Sequence, residues 1–211
     1  MRRMLRPLFG VRNLAARCGI RGCSGLRAVV VSFAVSLRAV IHHLFVSSGH
    51  NYFGHFGKPP GAHPCQDLPV VSLRTARGIE GDRFFGFRPD YKGQVTLFSW
   101  EVFTAAKKHF DVPALPASAM RRNVVIEGLD LPSLIGVQFR LGGIEFSGTE
   151  ESRPCYWMND AVAPGAEDWL RGNGGLRVRV LSDGELHAGP VEFEVTGGQA
   201  LFASFDRHAA K

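Results

Sequence analysis

From Val137 onward the chain alternates apolar and polar residues and reverses at glycine-containing turns, a pattern that commits this stretch to β-structure. Val137, Phe139 and Leu141 alternate with Gln138 and Arg140, Gly142-Gly143 turns the chain, and Ile144 and Phe146 alternate with Glu145. A period of two puts one set on a buried face and the other on a wet one, and a glycine pair supplies the positive φ of a tight hairpin. The pattern returns in Leu176-Arg177-Val178-Arg179-Val180, in an Asp183-Gly184 turn, and in Val191, Phe193 and Val195 alternating with Glu192 and Glu194. Upstream, the segments from Leu37 (LRAVIHHLFVS), Leu68 to Leu73, Gln94 to Phe98 and Asn123 to Ile126 read as strands, and Gly78 to Asp82 as a turn. His42 and His43, adjacent on the first strand, are expected on opposite faces. Helix is sparse: Ser99 caps a helix with Val102, Phe103, Ala106 and Phe110 on one face, Leu131 to Ile135 makes one turn, and Ala166 to Arg171 is short. Many short strands with few short helices predict a mainly β fold, a small closed or partly open barrel. No strand followed by a glycine-rich phosphate loop and a helix occurs, so a nucleotide-binding α/β domain is not expected.

Charge argues against nucleic acid. The chain carries a formal net charge of +6, but residues 1–38 hold eight arginines and no acid. Removing those eight from the 25 basic residues leaves 17 against 19 acids, a net of −2 over the remainder. The basicity belongs to the leading segment and says nothing about partners of the folded part. Residues 1–38 have three readings: a transit peptide, an unusual export signal, or an extension that is disordered or not translated, the last favoured. A single domain is expected over 39–211. The longest apolar run, Ala28 to Leu37, is too short to span a bilayer, so no membrane span and a cytoplasmic protein are expected. Four cysteines, at 18, 23, 65 and 155, are too few and scattered for a disulfide scaffold.

Three groups of residues could carry chemistry. Gly148 to Asp160 (GTEESRPCYWMND) places Cys155 on a loop just past a hairpin strand, with Arg153 near enough to favour the thiolate. A thiolate is a soft metal ligand and the nucleophile of sulfur transfer. Beside Tyr156, Trp157 and Met158, the same cysteine also reads as a core residue. Glu150 and Glu151 could relay protons or be exposed turn acids. Arg121-Arg122-Asn123 at the start of a strand could clamp an anion, with the amide orienting a polar ring edge, or be a solvated basic pair. The long Gly/Pro/His loop from Ser47 to Pro64 brings His50, His55 and His63 near Cys65, which invites zinc, but the spacing matches no familiar zinc site.

In order along the chain, these segments resemble the MOSC family, named after the C-terminal domain of molybdenum cofactor sulfurase. The matching pieces are Gly49-His50-Asn51-Tyr52-Phe53-Gly54-His55, Gly78-Ile79-Glu80-Gly81-Asp82-Arg83-Phe84, Arg122-Asn123-Val124-Val125-Ile126, Leu134-Ile135-Gly136 and Arg153-Pro154-Cys155. The resemblance runs from about residue 40 to about 188. It implies a β-barrel-like fold and molybdenum cofactor, with Cys155 as the metal ligand and catalytic residue. Arg121, Arg122 and Asn123 are then expected on the pterin and its phosphate, His50, Asn51 and Asp82 at the pocket mouth and Arg153 beside the thiol, with Asp82 and Glu150 as further catalytic residues. Stand-alone members resemble reductases of N-hydroxylated compounds; a carrier that holds a persulfide or the cofactor on Cys155 is the alternative. The chain has no pyridoxal-phosphate desulfurase domain and no four-cysteine iron–sulfur pattern. Sulfur would come from a separate cysteine desulfurase, or electrons from a separate donor protein, for a small-molecule substrate.

Overall fold

In the computed structural model, the residues described are 37–51, 59 and 61–197. The leading segment lies outside them except for Leu37 and Arg38, which open the first strand; His55 lies outside them too. The strands are β1 (Leu37–Val46), β2 (Gln66–Asp67), β3 (Val70–Arg74), β4 (Gly78–Ile79), β5 (Val95–Ser99), β6 (Val124–Glu127), β7 (Gln138–Leu141), β8 (Ile144–Glu151), β9 (Leu176–Val180), β10 (Gly184–His187) and β11 (Gly189–Gly197). The helices are α1 (Trp100–His109), α2 (Trp157–Ala161) and α3 (Ala166–Trp169), with 3-10 turns at Ala117–Met120 and Leu131–Leu134.

Seven strands close a barrel in the order β1-β11-β7-β8-β9-β5-β6 and back to β1. Closure removes the sheet edges that would otherwise template aggregation. All neighbours are antiparallel except β5 and β6, which are parallel and joined through α1. The β7–β8 hairpin turns at Gly142 and Gly143 with φ of 59° and 82°, conformations that need glycine there. A small sheet, β10-β3-β4, is hydrogen-bonded separately from the barrel, and its Val71, Leu73, Ile79 and Leu186 join the same apolar core.

Alternation along the strands produces two cores. Inward residues such as Leu44, Leu97, Val124, Phe146 and Val178 fill the barrel. Outward Phe45, Phe98 and Val125 pack instead with Phe103, Ala106, Met120, Met158 and Leu170 of the helical layer. Ser99 caps α1 as its sequence suggests, its Oγ accepting from Val102 N at 3.1 Å. Full burial of a side chain such as Phe103 is worth about 2–3 kcal/mol, enough to hold this ten-residue helix, which alone in water would fray.

One local expectation fails. Between Ile41↔Ile126 and His43↔Val125 the β1–β6 register slips by one residue, so His42 is the extra residue of a bulge. A bulge cancels the alternation of faces. Both rings therefore lie against Trp100, at 4.1 and 5.9 Å, with His42 bonded to Glu127 and His43 to Asp67. The expected strand at Leu68 to Leu73 begins at Val70, and α2, only five residues long, has no counterpart in the sequence reading.

Candidate functional site

Four outward side chains on adjacent strands, Phe45 of β1, Asn123 before β6, Thr96 of β5 and Arg177 of β9, make the floor of a cleft on the outer face of the barrel. The cleft has two adjoining halves of about 350 and 340 Å³ that share Arg83, Arg121 and Arg122. One half is lined by Cys155, His50, Phe84, Tyr91, Trp157, Arg153 and Arg177. The other is lined by Ser47, Gly49, Asn51, Cys65, Ser118 and Ala119. No carboxylate lines either half among the described residues.

Cys155 is held by a clamped loop. β8 ends at Glu151, whose Oε1 accepts from Gly172 N (2.8 Å) and Gly174 N (3.2 Å). Buried Ser152 donates its N–H to Gly175 O at 2.8 Å. A side chain at 174 would meet Ser152 O at 2.6 Å and Pro154 Cδ at 2.7 Å, so only glycine lets the two loops approach this closely. Cys155 O then accepts from Met158 N at 2.8 Å as α2 begins, and buried Trp157 and Met158 anchor that helix. The thiol itself is half-buried, which separates it from the core residues that follow it.

The guanidinium that reaches Cys155 Sγ belongs to Arg121, at 3.9 Å, where the sequence pointed to Arg153; Arg153 is exposed on the wall of the same half. Arg121 ends the 3-10 turn in the left-handed region, φ 59° and ψ 39°. A non-glycine residue pays about 1–2 kcal/mol for that backbone, and such strain tends to sit where a side chain must be aimed.

Arg122 and Asn123, expected on a ligand, spend their hydrogen bonds on the protein. Arg122 Nε donates to Gly174 O (2.8 Å), Nη1 to Met120 O (3.0 Å) and Arg121 O (3.3 Å), and Nη2 to Ser152 O (2.5 Å). Four of its five N–H groups are thus used, and its charge rather than its hydrogen bonds reaches the cleft. Burial, then the charges of Arg121 and Arg177, push its pKa down to about 10. Asn123 Oδ1 accepts from Thr96 N and Oγ1 (3.1 and 2.9 Å), and its Nδ2 donates to Phe45 O and Asp82 Oδ2 (both 3.1 Å). That saturates the amide, leaving nothing to orient a ring edge.

Asp82 and Glu150 are also displaced from their expected roles. Asp82 is buried behind the cleft wall, accepting from Phe84 N (3.0 Å), Ser47 N (3.4 Å) and Asn123, with Arg83 Nη1 at 3.6 Å. It orients Arg83 and lines neither half. Glu150 faces away, bonded to Lys92 Nζ (3.3 Å) and Arg177 Nη1 (3.0 Å). Desolvation pushes its carboxyl up, but the bonds and charges of Lys92 and Arg177 outweigh this and hold it below the ordinary value, so it has no proton to relay near neutral pH.

His50 and Asn51 do border the cleft, on different halves. Burial, then Arg83 and Arg121, lowers the His50 pKa from its ordinary value, with Asp82 opposing them. Asn51 bridges the loop, its Nδ2 donating to His63 O (2.8 Å) and its Oδ1 accepting from His63 N (2.7 Å). Among the described residues no cluster of three His, Cys, Asp or Glu side chains is placed to hold a metal ion, so the histidine loop assembles no zinc site there. Sequence reasoning did not assign Arg83, Phe84, Tyr91 or Arg177. The quoted turn contains the first two, and Arg177 was legible only as an outward strand position.

The MOSC domain family model matches residues 55–191 of the chain. Among solved structures, YuaD protein from Bacillus subtilis aligns with a TM-score of 0.60 at 18% identity, covering 78% of this chain and 100% of that one. YiiM from Escherichia coli aligns at 0.55 and 19% identity over 77% of this chain and 71% of its own. YiiM from Geobacillus stearothermophilus aligns at 0.53 and 16% identity over 75% of each. Likeness at these identities speaks for the fold. No curated protein sequence matches the chain.

Proposed function

The chain belongs to the MOSC domain family, and on that premise we propose that it binds molybdenum cofactor through Cys155 and reduces N-hydroxylated compounds. The observation that carries this reading is a half-buried thiol beside the Arg121 guanidinium, in a cleft lined by arginines and, among the described residues, by no carboxylate. The donor set fits the group. A metal that arrives in its own organic ligand asks the protein for one soft thiolate rather than a cluster, and its phosphate asks for cations.

Arg83 and Arg121, common to both halves of the cleft, would hold the phosphate, with Arg122 adding charge from behind. Asn123 and Asp82 act at one remove, fixing Arg83 and the floor. When bound, the cofactor supplies two-electron exchange with the substrate's N–OH oxygen. The overall reaction takes R–NH–OH, two electrons and two protons to R–NH2 and water: the N–O bond breaks, and the electrons come from a separate donor protein. His50, whose pKa burial and the neighbouring arginines lower, lines the Cys155 half of the cleft and would sit beside a bound substrate. Arg153 lines the entrance and favours uncharged or anionic substrates.

The partly exposed Sγ also suits a carrier that receives a persulfide from a cysteine desulfurase, or holds the cofactor, and hands it on. Of the described residues, no helix is long and apolar enough to cross a membrane. Steady reduction of an N-hydroxylated substrate by the chain with an electron donor supports the enzyme. No turnover, together with an apo-enzyme partner captured only when Cys155 is intact, supports the carrier.

A further inference from the structure

Uncompensated positive charge surrounds one exposed ring beside the Cys155 half of the cleft. Phe87 is 55% exposed, more than any other large apolar side chain among the described residues. It packs edge-on against Phe84 and Tyr91, with centroids at 5.8 and 5.1 Å, and those two rings line the cleft. Arg88 lies over Phe87 at 5.8 Å and over Tyr91 at 5.2 Å, Arg77 lies over Phe85 at 4.2 Å, and Arg153 lines the same half. Exposed Arg77, Arg88 and Arg153 make no ion pair among the described residues. Arg74, by contrast, is paired with Glu80 and Asp183, Arg140 with Glu145 and Glu194, and Arg171 with Asp168. Asp90 is the one acid between residues 83 and 92.

The segment that carries this patch is held in shape by its own hydrogen bonds. Phe85 N donates to Asp82 O and Gly86 N to Arg77 O, both at 2.9 Å, and Phe87 N donates to Phe84 O at 3.2 Å. At the far end Arg179 Nη2 donates to Asp90 O at 3.0 Å, and Thr149 Oγ1 to Lys92 O at 2.8 Å. A surface ordered in advance lowers the cost of association. An aromatic anchor within a rim of arginines has the composition of a protein docking site. Cations without acidic neighbours select a partner that brings the acids.

We propose that Phe87, with Arg77, Arg88 and Arg153 around it, is the docking surface for an acidic electron-carrier protein that delivers electrons beside the Cys155 half of the cleft. This rests on the reading that the chain reduces N-hydroxylated compounds. Each N–O bond broken takes two electrons, which oxidise the carrier in one or two encounters, and two protons, which come from water. Position favours an electron carrier over other acidic proteins. Electron transfer weakens steeply with distance, and Phe87 touches two rings that line the cleft together with Cys155. A lipid surface is the weaker fit, because membrane anchoring scales with buried apolar area and the patch offers a single exposed ring.

The test uses the full chain with two acidic carriers, flavodoxin and a plant-type ferredoxin, and with reduced methyl viologen, a small donor that needs no docking. Binding is read by surface plasmon resonance at low and high salt, and benzamidoxime reduction is followed with each donor. The variants are Phe87→Ser, Arg77→Glu/Arg88→Glu and, as a charge reversal on α1 outside the patch, Lys108→Glu; thermal melts check that each is folded. Wild type should bind at least one carrier, less tightly as salt rises. Arg77→Glu/Arg88→Glu should slow association roughly 10-fold and flatten the salt dependence. Phe87→Ser should weaken affinity roughly 10-fold, while Lys108→Glu stays near wild type and methyl viologen turnover is the same in all four. Failure of both carriers to bind overturns the proposal, as do folded patch variants that bind like wild type or a Lys108→Glu loss as large as theirs. Methyl viologen turnover lost in the patch variants assigns these residues to the cleft and overturns it too. Retention on phosphatidylcholine vesicles containing phosphatidylserine, lost in Phe87→Ser and without carrier binding, assigns the patch to a membrane and overturns it. Carrier binding that the patch variants weaken, in protein with no methyl viologen turnover, keeps the docking surface and sinks the reductase reading. Turnover with methyl viologen and with the carriers, unchanged in the patch variants, does the reverse.

Discussion

Arg122→Met removes the guanidinium while keeping most of the apolar stem, and it separates a scaffold role from a ligand role. The substitution takes the donor away from four carbonyls, those of Gly174, Met120, Arg121 and Ser152. Hydrogen bonds to a charged group are worth about 1.5–3 kcal/mol each, so the gross loss is about 6–8 kcal/mol at the lower end of that range. Burial and the neighbouring arginines oppose this. They push the Arg122 pKa down to about 10 from 12.5, which corresponds to about 3 kcal/mol of relief when the charge is removed. The net expectation is a destabilisation of about 3–5 kcal/mol. For a domain of this size it appears as a fall in melting temperature of roughly 10 °C. Arg122→Lys should fall nearly as far, because a single ammonium cannot span carbonyls on separate loops. Both are measured on cofactor-free protein by thermal and urea unfolding. If Arg122 were chiefly a phosphate clamp, removing it would relieve repulsion and leave the melt unchanged or higher. A melting temperature within about 2 °C of wild type would refute the scaffold argument.

Asn123→Asp sets a second carboxylate 3.1 Å from that of Asp82, and one of the two must hold a proton. Urea unfolding should show a loss of about 2–3 kcal/mol at pH 8 that shrinks toward pH 5; an equal loss at both pH values counts against the geometry. For His50, whose folded pKa lies below 6.5, the unfolded chain binds the proton more readily. Its contribution is therefore fully present above pH 6.5 and falls as pH drops toward the folded value. An anion in the cleft offsets Arg83 and Arg121, so NMR titration with phosphate present should move the His50 midpoint upward, and an unmoved midpoint would place the anion elsewhere. Gly174→Ala pushes on Ser152 O and Pro154 Cδ, which should change the alkylation rate of Cys155 several-fold; an unchanged rate would show that the loop is not clamped there.

Much of the barrel was legible because hairpins are local. The alternation from Val137 to Phe146 and the glycine pair between its halves fix a register within ten residues. Cys155 was legible for the same reason, since it follows a strand whose end the pattern locates. The bulge at His42 was not, because it depends on how β1 meets β6 some eighty residues away. The helix α2 is too short for its periodicity to register. The work of Arg122 is set by carbonyls 30 and 52 positions distant, so Arg121-Arg122-Asn123 reads as a clamp in sequence, while in space Arg121 reaches the Cys155 thiol and Arg122 and Asn123 brace the protein. The net of −2 beyond residue 38 likewise hid a basic cleft. Its arginines come from the segments around Arg83, Arg121, Arg153 and Arg177, and only folding brings them together without their acidic neighbours.

The most direct test of the account is molybdenum content with pterin fluorescence, on protein made in a cofactor-competent host, with wild type beside Cys155→Ala and Cys65→Ala. Cys65 lines the neighbouring half of the cleft and is the internal control. The account expects near-stoichiometric molybdenum in wild type and Cys65→Ala, and its loss in a folded Cys155→Ala. Molybdenum retained in full by Cys155→Ala would contradict it.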